Sequence, residues 1–231
     1  MLKDNELSGI IKKMRLLLTS SGITNKTLET AFQELLNKPF SETLVGFIPT
    51  ASNNVDGDKW WIIKDIVALN NLGCKIDIVD ISALLRDKAL ERLKNVDVIF
   101  VEGGDTFYLM DSIHHSGIYE DFRKLLETKV YVGVSAGSAI CAKNLALEAS
   151  QEMYDEGLDR KEDVLGLDIV PYYVFPHYGS KEWFPKVTRE NANKYVNQYG
   201  SVVYLIDDQS AVIINGENSK VISEGVWEKL S

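Results

Sequence analysis

Gly133-Val134-Ser135-Ala136-Gly137 fits G-x-S-x-G and sits between an apolar run at 130–134 and a helix-capable stretch at 138–147. The placement carries more weight than the pattern, which is short enough to recur by chance. A serine on a sharp strand-to-helix turn is pushed above the sheet edge with its hydroxyl free. Glycines on either side are required because side chains there would strike neighbouring backbone. The helix start supplies unpaired N–H groups and a positive dipole end, so the Ala136 N–H can face a developing oxyanion. A serine nucleophile needs a base. His114 and His115 are adjacent in the helical stretch 107–115 and read as surface residues. His177 follows the apolar run 169–174, framed by Pro176 and aromatic residues, and is the candidate base. A packed structural histidine is the alternative. No S-x-x-K occurs, which disfavours a serine–lysine pair.

The base needs a carboxylate to orient it. Asp155, Asp168, Asp207 and Asp208 all lie downstream of Ser135. Asp207 and Asp208 close the apolar run 202–206, where a strand end delivers side chains, yet two adjacent carboxylates cannot both face one site. An ordinary acidic turn also accounts for them. With Asp208 the chain order is Ser-His-Asp, unlike the Ser-Asp-His order of α/β-hydrolases. A further turn, Glu102-Gly103-Gly104-Asp105-Thr106, closes the run 96–101. Its glycines let backbone approach a ligand, so Gly103 and Gly104 read as the second half of an oxyanion hole. Asp105 can cap the next helix and, with Gly103, is expected among the substrate-binding residues; a plain capped turn is the competing account.

These residues need a scaffold whose strand ends converge. Apolar runs at 14–20, 43–49, 75–79, 96–101 and 130–134 alternate with helical stretches at 27–36, 59–72 and 84–93. Continuous Val/Ile-rich runs separated by helices predict a doubly wound, mostly parallel α/β sheet covered on both faces. The helix at 59–72 places Trp60, Ile63, Val67 and Leu69 on or near one apolar face and ends at Gly73. Short strands at 202–206, 211–214 and 220–223, with an Asn215-Gly216 turn, predict an antiparallel tail on the sheet edge or folded over it. The 231 residues read as one domain.

The formal charge of −9 disfavours nucleic acid and anionic membranes as partners. Cys74 and Cys141 form no metal or disulfide pattern and read as buried thiols, Cys141 inside a helix. The polar leader and the lack of a long apolar run predict a cytoplasmic protein without membrane association.

Val101-Glu102-Gly103-Gly104-Asp105-Thr106, Gly133 to Ser138, Pro176-His177 and Thr188-Arg189-Glu190, in that order, resemble the alpha-aspartyl dipeptidase (dipeptidase E) family of serine peptidases, and also the related cyanophycinases. The likeness runs from about residue 14 to 226 and leaves the leader 1–13 outside. It implies a fold like class I glutamine amidotransferases, with serine in place of their cysteine nucleophile. It implies Ser135 as nucleophile, His177 as base, and Arg189 as the group that recognises an acidic substrate side chain. Thr106 stands where relatives often have Asn, and Asp208 where they often have Glu. The acid therefore stays open between Asp208, Asp207, Asp155 and Asp168. The expected activity is hydrolysis of short peptides, dipeptides with an N-terminal Asp foremost, by a monomer or homodimer, with no metal or cofactor. The competing readings are a non-catalytic small-ligand binder on the same fold, a cyanophycinase-like peptidase of other specificity, and a cysteine-dependent amidotransferase. The last would require a cysteine at the turn held by Ser135.

Overall fold

In the computed structural model, residues 14–231 are described; the leader 1–13 lies outside the described residues. Five of the apolar runs form strands β1 (Arg15–Thr19), β2 (Leu44–Ile48), β3 (Lys75–Ile78), β4 (Val98–Val101) and β5 (Val130–Val134). They lie parallel in the order β3-β2-β4-β5-β1, and β8 (Ser210–Asn215) and β9 (Asn218–Ser223) extend the sheet antiparallel beyond β1. The Asn215-Gly216 turn joins β8 to β9 as its sequence predicts, with Gly216 at φ 60°.

Strand periodicity of two, with both faces covered, explains why the inner runs are apolar nearly throughout, whereas edge strand β3 alternates Lys75 and Asp77 with Ile76 and Ile78. Leu16, Leu18, Ile99, Val101 and Tyr131 point into one layer, and Leu17, Val98, Phe100 and Val132 into the other. Helices α1 (Lys26–Leu36) and α2 (Trp60–Asn71) cover the second face. Helices α3 (Arg86–Asn95), α4 (Thr106–His115) and α5 (Tyr119–Leu125) cover the first. Caps fix several helix ends: the Asn25 side chain accepts from Leu28 N at 2.9 Å, and Asp105 accepts from Tyr108 N at 2.9 Å.

Three expectations need correction. The stretch 138–147 is not one helix. A single turn, α6 (Ala136–Ala139), is followed by irregular chain, then α7 (Leu147–Tyr154). The carbonyls of Ile140, Cys141 and Ala142 accept from Leu167, Ile169 and Asp168, so they are unavailable to a continuing helix. Cys141 is thus buried in this turn rather than inside a helix. The tail is also only partly antiparallel on the main sheet. Strand β7 (Val202–Ile206) pairs parallel with β6 (Tyr172–Phe175) across helix α8 (Arg189–Tyr199), and antiparallel with β10 (Trp227–Leu230). These three strands form a second sheet, whose core, including Val203, Leu205, Tyr195 and Met153, packs beneath α7 and α8. Finally, α2 buries Asp65 and Leu69 and packs Ile62 and Ile66 inward, while Trp60, Ile63 and Val67 are exposed. Of the expected apolar face only Leu69 is buried, because the helix turns the Asp65 carboxylate inward.

Candidate active site

Strands β4, β5 and β1 are neighbours, so their carboxyl ends deliver three turns side by side: Gly103-Gly104, Ser135 and Ser20. This is the crevice position expected of a doubly wound sheet. The Ser135 turn is tight. Ser135 has φ 48°, in the left-handed region, and its N–H donates to Thr19 O at 3.1 Å. A Cβ on Gly133 would lie 2.5 Å from Gly137 O, and one on Gly137 would lie 2.2 Å from Val101 O. Both glycines of the motif are therefore steric requirements. Tyr131 donates its hydroxyl to Gly137 O at 2.5 Å, and Ser138 Oγ donates toward Thr19 O at 2.7 Å, pinning the turn from below.

The candidate base arrives from the second sheet. His177 follows β6 with φ 64°. Its Nε2 lies 2.9 Å from Ser135 Oγ, and its Nδ1 lies 2.8 Å from Asp208 Oδ1. With the carboxylate accepting from Nδ1–H, Nε2 is left free to accept the serine proton. Phe184 stacks on the imidazole at 4.5 Å with planes 16° apart. Asp208 lies in the turn from β7 to β8, bridging the two sheets. Burial would raise its carboxyl, but hydrogen bonds from His177 and Ser20 and the charges of His177 and Lys64 outweigh burial and hold it below the usual range.

Ser20, which the sequence reading passed over, completes the arrangement. Its fully buried hydroxyl accepts the His177 backbone N–H at 2.8 Å and donates to Asp208 Oδ1 at 2.6 Å. The available signal was its place, directly after β1 at the same sheet edge as Ser135.

The other carboxylates are occupied differently. Asp207 accepts from Gln209 N, Ser210 Oγ and Val226 N, so it builds the turn. Asp155 pairs with Lys186 at 2.8 Å on the rim of the cleft. Asp168 is not among the cleft-lining residues. His114 and His115 bond backbone carbonyls of Leu165 and Asp111 and also lie outside the lining.

Gly103 packs against Ser135: a Cβ there would sit 3.2 Å from Ser135 Cβ. Gly104 has φ 137°, and a Cβ on it would lie 2.4 Å from Ala51 O. Asp105 caps α4 and also accepts from Asn54 Nδ2 at 2.6 Å. Arg189 is the first residue of α8, with Thr188 as its cap. Its guanidinium is 64% exposed and pairs with Glu228 at 2.7 Å rather than with Glu190 or Glu182. It does not line the cleft.

That cleft has a volume of about 890 Å³ and opens over Ser135 and His177. Eight Asp and Glu residues line it against a single lysine, Lys64. Trp60, Trp61 and Trp183 give its apolar wall. Glu156 is pushed up to about 7 by burial and by the charge of Asp105, against the Thr106 N–H that it accepts at 3.2 Å. Among the described residues, no group of three or more His, Cys, Asp or Glu side chains could hold a metal ion, and no helix is long and apolar enough to cross a membrane.

A serine, imidazole and carboxylate hydrogen-bonded in series beside a turn of free backbone N–H groups can perform acyl transfer. Known proteins point the same way. The chain is 31% identical over 181 residues to an uncharacterized peptidase of Pasteurella multocida, covering 77% of this chain and 84% of that one. It is 28% identical over 169 residues to a peptidase E of a Nostoc species, covering 72% of this chain and 66% of that one. The crystal structure of a candidate peptidase E from Listeria monocytogenes superposes with a TM-score of 0.75 at 26% identity, covering 92% of this chain and 99% of that one. The model of peptidase family S51 matches residues 16–222. The chain therefore belongs to peptidase family S51 and is a serine-type peptidase.

Proposed function

We propose that the protein hydrolyses short peptides through an acyl-enzyme on Ser135, with His177 as base and Asp208 as the orienting acid. The observation that carries this is the unbroken hydrogen-bonded series, 2.9 Å from Ser135 to His177 and 2.8 Å on to Asp208. In the proposed reaction Ser135 Oγ attacks the scissile carbonyl and passes its proton to His177 Nε2. The carbonyl oxygen, now anionic, is held by the Gly104 and Ala136 N–H groups. Collapse breaks the C–N bond as His177 Nε2 protonates the leaving amine. Water then attacks the ester, giving its proton to His177, which returns it to Ser135 Oγ as the acid leaves. Asp208 keeps its negative charge throughout and stabilises the imidazolium. Gly103 gives the substrate backbone room beside Ser135.

The substrates proposed first are dipeptides with an N-terminal Asp, on the strength of the likeness to the alpha-aspartyl dipeptidases. Within the cleft the cation available to such a side chain is Lys64, since Arg189 is engaged with Glu228. The predominance of carboxylates favours a second reading of the same enzyme, with a preference for neutral or basic first residues. The test of the chemistry is a serine-directed fluorophosphonate followed by mass mapping. Label on Ser135, lost in His177→Ala, is expected. Folded protein that stays unlabelled would refute it.

A further inference from the structure

The loop that follows His177 carries an aromatic wall that the triad uses only in part. Phe184 stacks on the imidazole at 4.5 Å, and Tyr154 meets Phe184 edge-on at 5.6 Å. Both rings are held. Tyr154 donates its hydroxyl to Pro176 O at 2.9 Å, and Phe184 packs against the core of the second sheet. The loop itself is tied by Ser180 N to His177 O at 3.0 Å and by Val187 N to Phe184 O at 3.1 Å. Trp183, beside Phe184 in the chain, is the exception. It is 68% exposed, more than any other tryptophan of the chain, and it lines the cleft. Among the described residues no ring stacks on it and no side chain bonds to it. Trp60, on α2, differs: it meets Trp61 edge-on at 6.3 Å and has the Lys64 ammonium 5.8 Å from its ring centre.

An indole held out in water on a fixed loop is apolar surface that a ligand gains by covering. What covers it follows from the proposed reaction. His177 Nε2 protonates the leaving amine, so that nitrogen comes within hydrogen-bond reach of the imidazole. The side chain of the leaving residue branches from the very next atom. Phe184 already covers one face of the imidazole, so a side chain extending on that side runs along the loop that carries Trp183. The cleft has room for it, since about 890 Å³ is near the upper end of the roughly 300–1,000 Å³ usual for small-ligand sites. We propose that Trp183 determines specificity by receiving the side chain of the residue released as the free amine, and that it selects a large apolar one, aromatic foremost. The proposal rests on the peptidase reading and deepens it, naming the half of the substrate that leaves.

The test compares alanyl-phenylalanine with alanyl-alanine, and aspartyl-phenylalanine with aspartyl-alanine. A preference of at least tenfold in kcat/KM for the phenylalanine partner is expected in each pair that is cleaved, because even one methylene in an apolar pocket discriminates about 10- to 200-fold. Trp183→Ala should cut that preference at least fivefold, and Trp183→Phe should keep most of it. A disturbance of His177 passed on through Phe184 lowers both partners alike and leaves the ratio where it was, so an unchanged ratio in Trp183→Ala overturns the proposal. So does a wild-type ratio near one in protein whose Ser135 takes the fluorophosphonate. Phenylalanyl-alanine against alanyl-alanine reads the acyl side, and a Trp183-dependent preference found there instead also overturns it. Binding without turnover is followed by calorimetry in Ser135→Ala protein. Phenylalanine should bind at least tenfold tighter than alanine, and adding Trp183→Ala should remove the difference. If Ser135 resists the label and no dipeptide is cut, the peptidase mechanism falls. Phenylalanine binding that Trp183→Ala abolishes would then leave the apolar site standing, and equal binding of the two amino acids would remove it as well.

Discussion

Ser20→Ala is the sharpest test of how the site is held. The substitution removes one oxygen from a fully buried position. That oxygen both accepts the His177 N–H and donates to Asp208. A hydrogen bond to a carboxylate contributes about 1.5–3 kcal/mol, and an orphaned buried N–H costs a similar amount. His177 sits at φ 64°, in the left-handed region, so its backbone needs fixed partners to stay there. If most of the carboxylate term supports the imidazolium, kcat falls about 10- to 100-fold. In the proposed mechanism Asp208 and His177 act in the transition state, so the loss should fall on kcat. Losing a donor also lets the Asp208 carboxyl rise, so the acidic limb of the kcat profile should move to higher pH. Stopped-flow acylation with p-nitrophenyl acetate, measured across pH beside a thermal melt, reads all three effects. A kcat within twofold of wild type, or a lower melting temperature with an unmoved acidic limb, would refute the reasoning.

Further outcomes follow from the same geometry. Asp208→Asn should lower kcat by about two orders of magnitude or more, whereas Asp207→Asn should chiefly lower the melting temperature because Asp207 serves the turn. Steady-state kinetics and a melt on both variants check this. If an N-terminal Asp is favoured, Lys64→Met should narrow the ratio of Asp-Leu to Asn-Leu cleavage at least tenfold, and Arg189→Met should leave it within about threefold. The reverse pattern would mean that Arg189 leaves Glu228 to bind substrate. Glu156 is pushed up to about 7, so the folded protein holds a proton there that the unfolded chain releases near pH 4.3. Wild-type stability relative to Glu156→Gln should therefore decline as pH rises from about 4.5 to 7, by about 2 kcal/mol. Urea unfolding at several pH values measures that decline, and a flat difference would sink it.

The parallel sheet was legible because its inner strands β2, β4 and β5 are apolar on both faces. Ser135 stood out by the glycines that flank it between a strand and a helix, and His177 as one of only 3 histidines, placed at a strand end. Asp208 was a candidate among four, since adjacent carboxylates look alike until the turn shows which one Ser210 and Val226 claim. Ser20 was hidden because a serine after a strand is common and its partners lie 157 and 188 residues away. The inward carboxylate Asp65 defeated the face assignment of α2, since amphipathic patterning treats every charge as solvent-facing. The second sheet escaped notice for a related reason: which of two sheets a short apolar strand joins depends on contacts far along the chain.

In the proposed mechanism the nucleophile comes from one sheet, its base from the other, and its acid from the turn between them. During synthesis Ser135 leaves the ribosome long before Asp208 does. A nascent chain thus carries an inert serine for about seventy residues of elongation. On that mechanism hydrolytic power should appear only once β7 and β8 have been made and docked. Birth order then acts as a safety catch, sparing neighbouring half-made chains until the fold is complete.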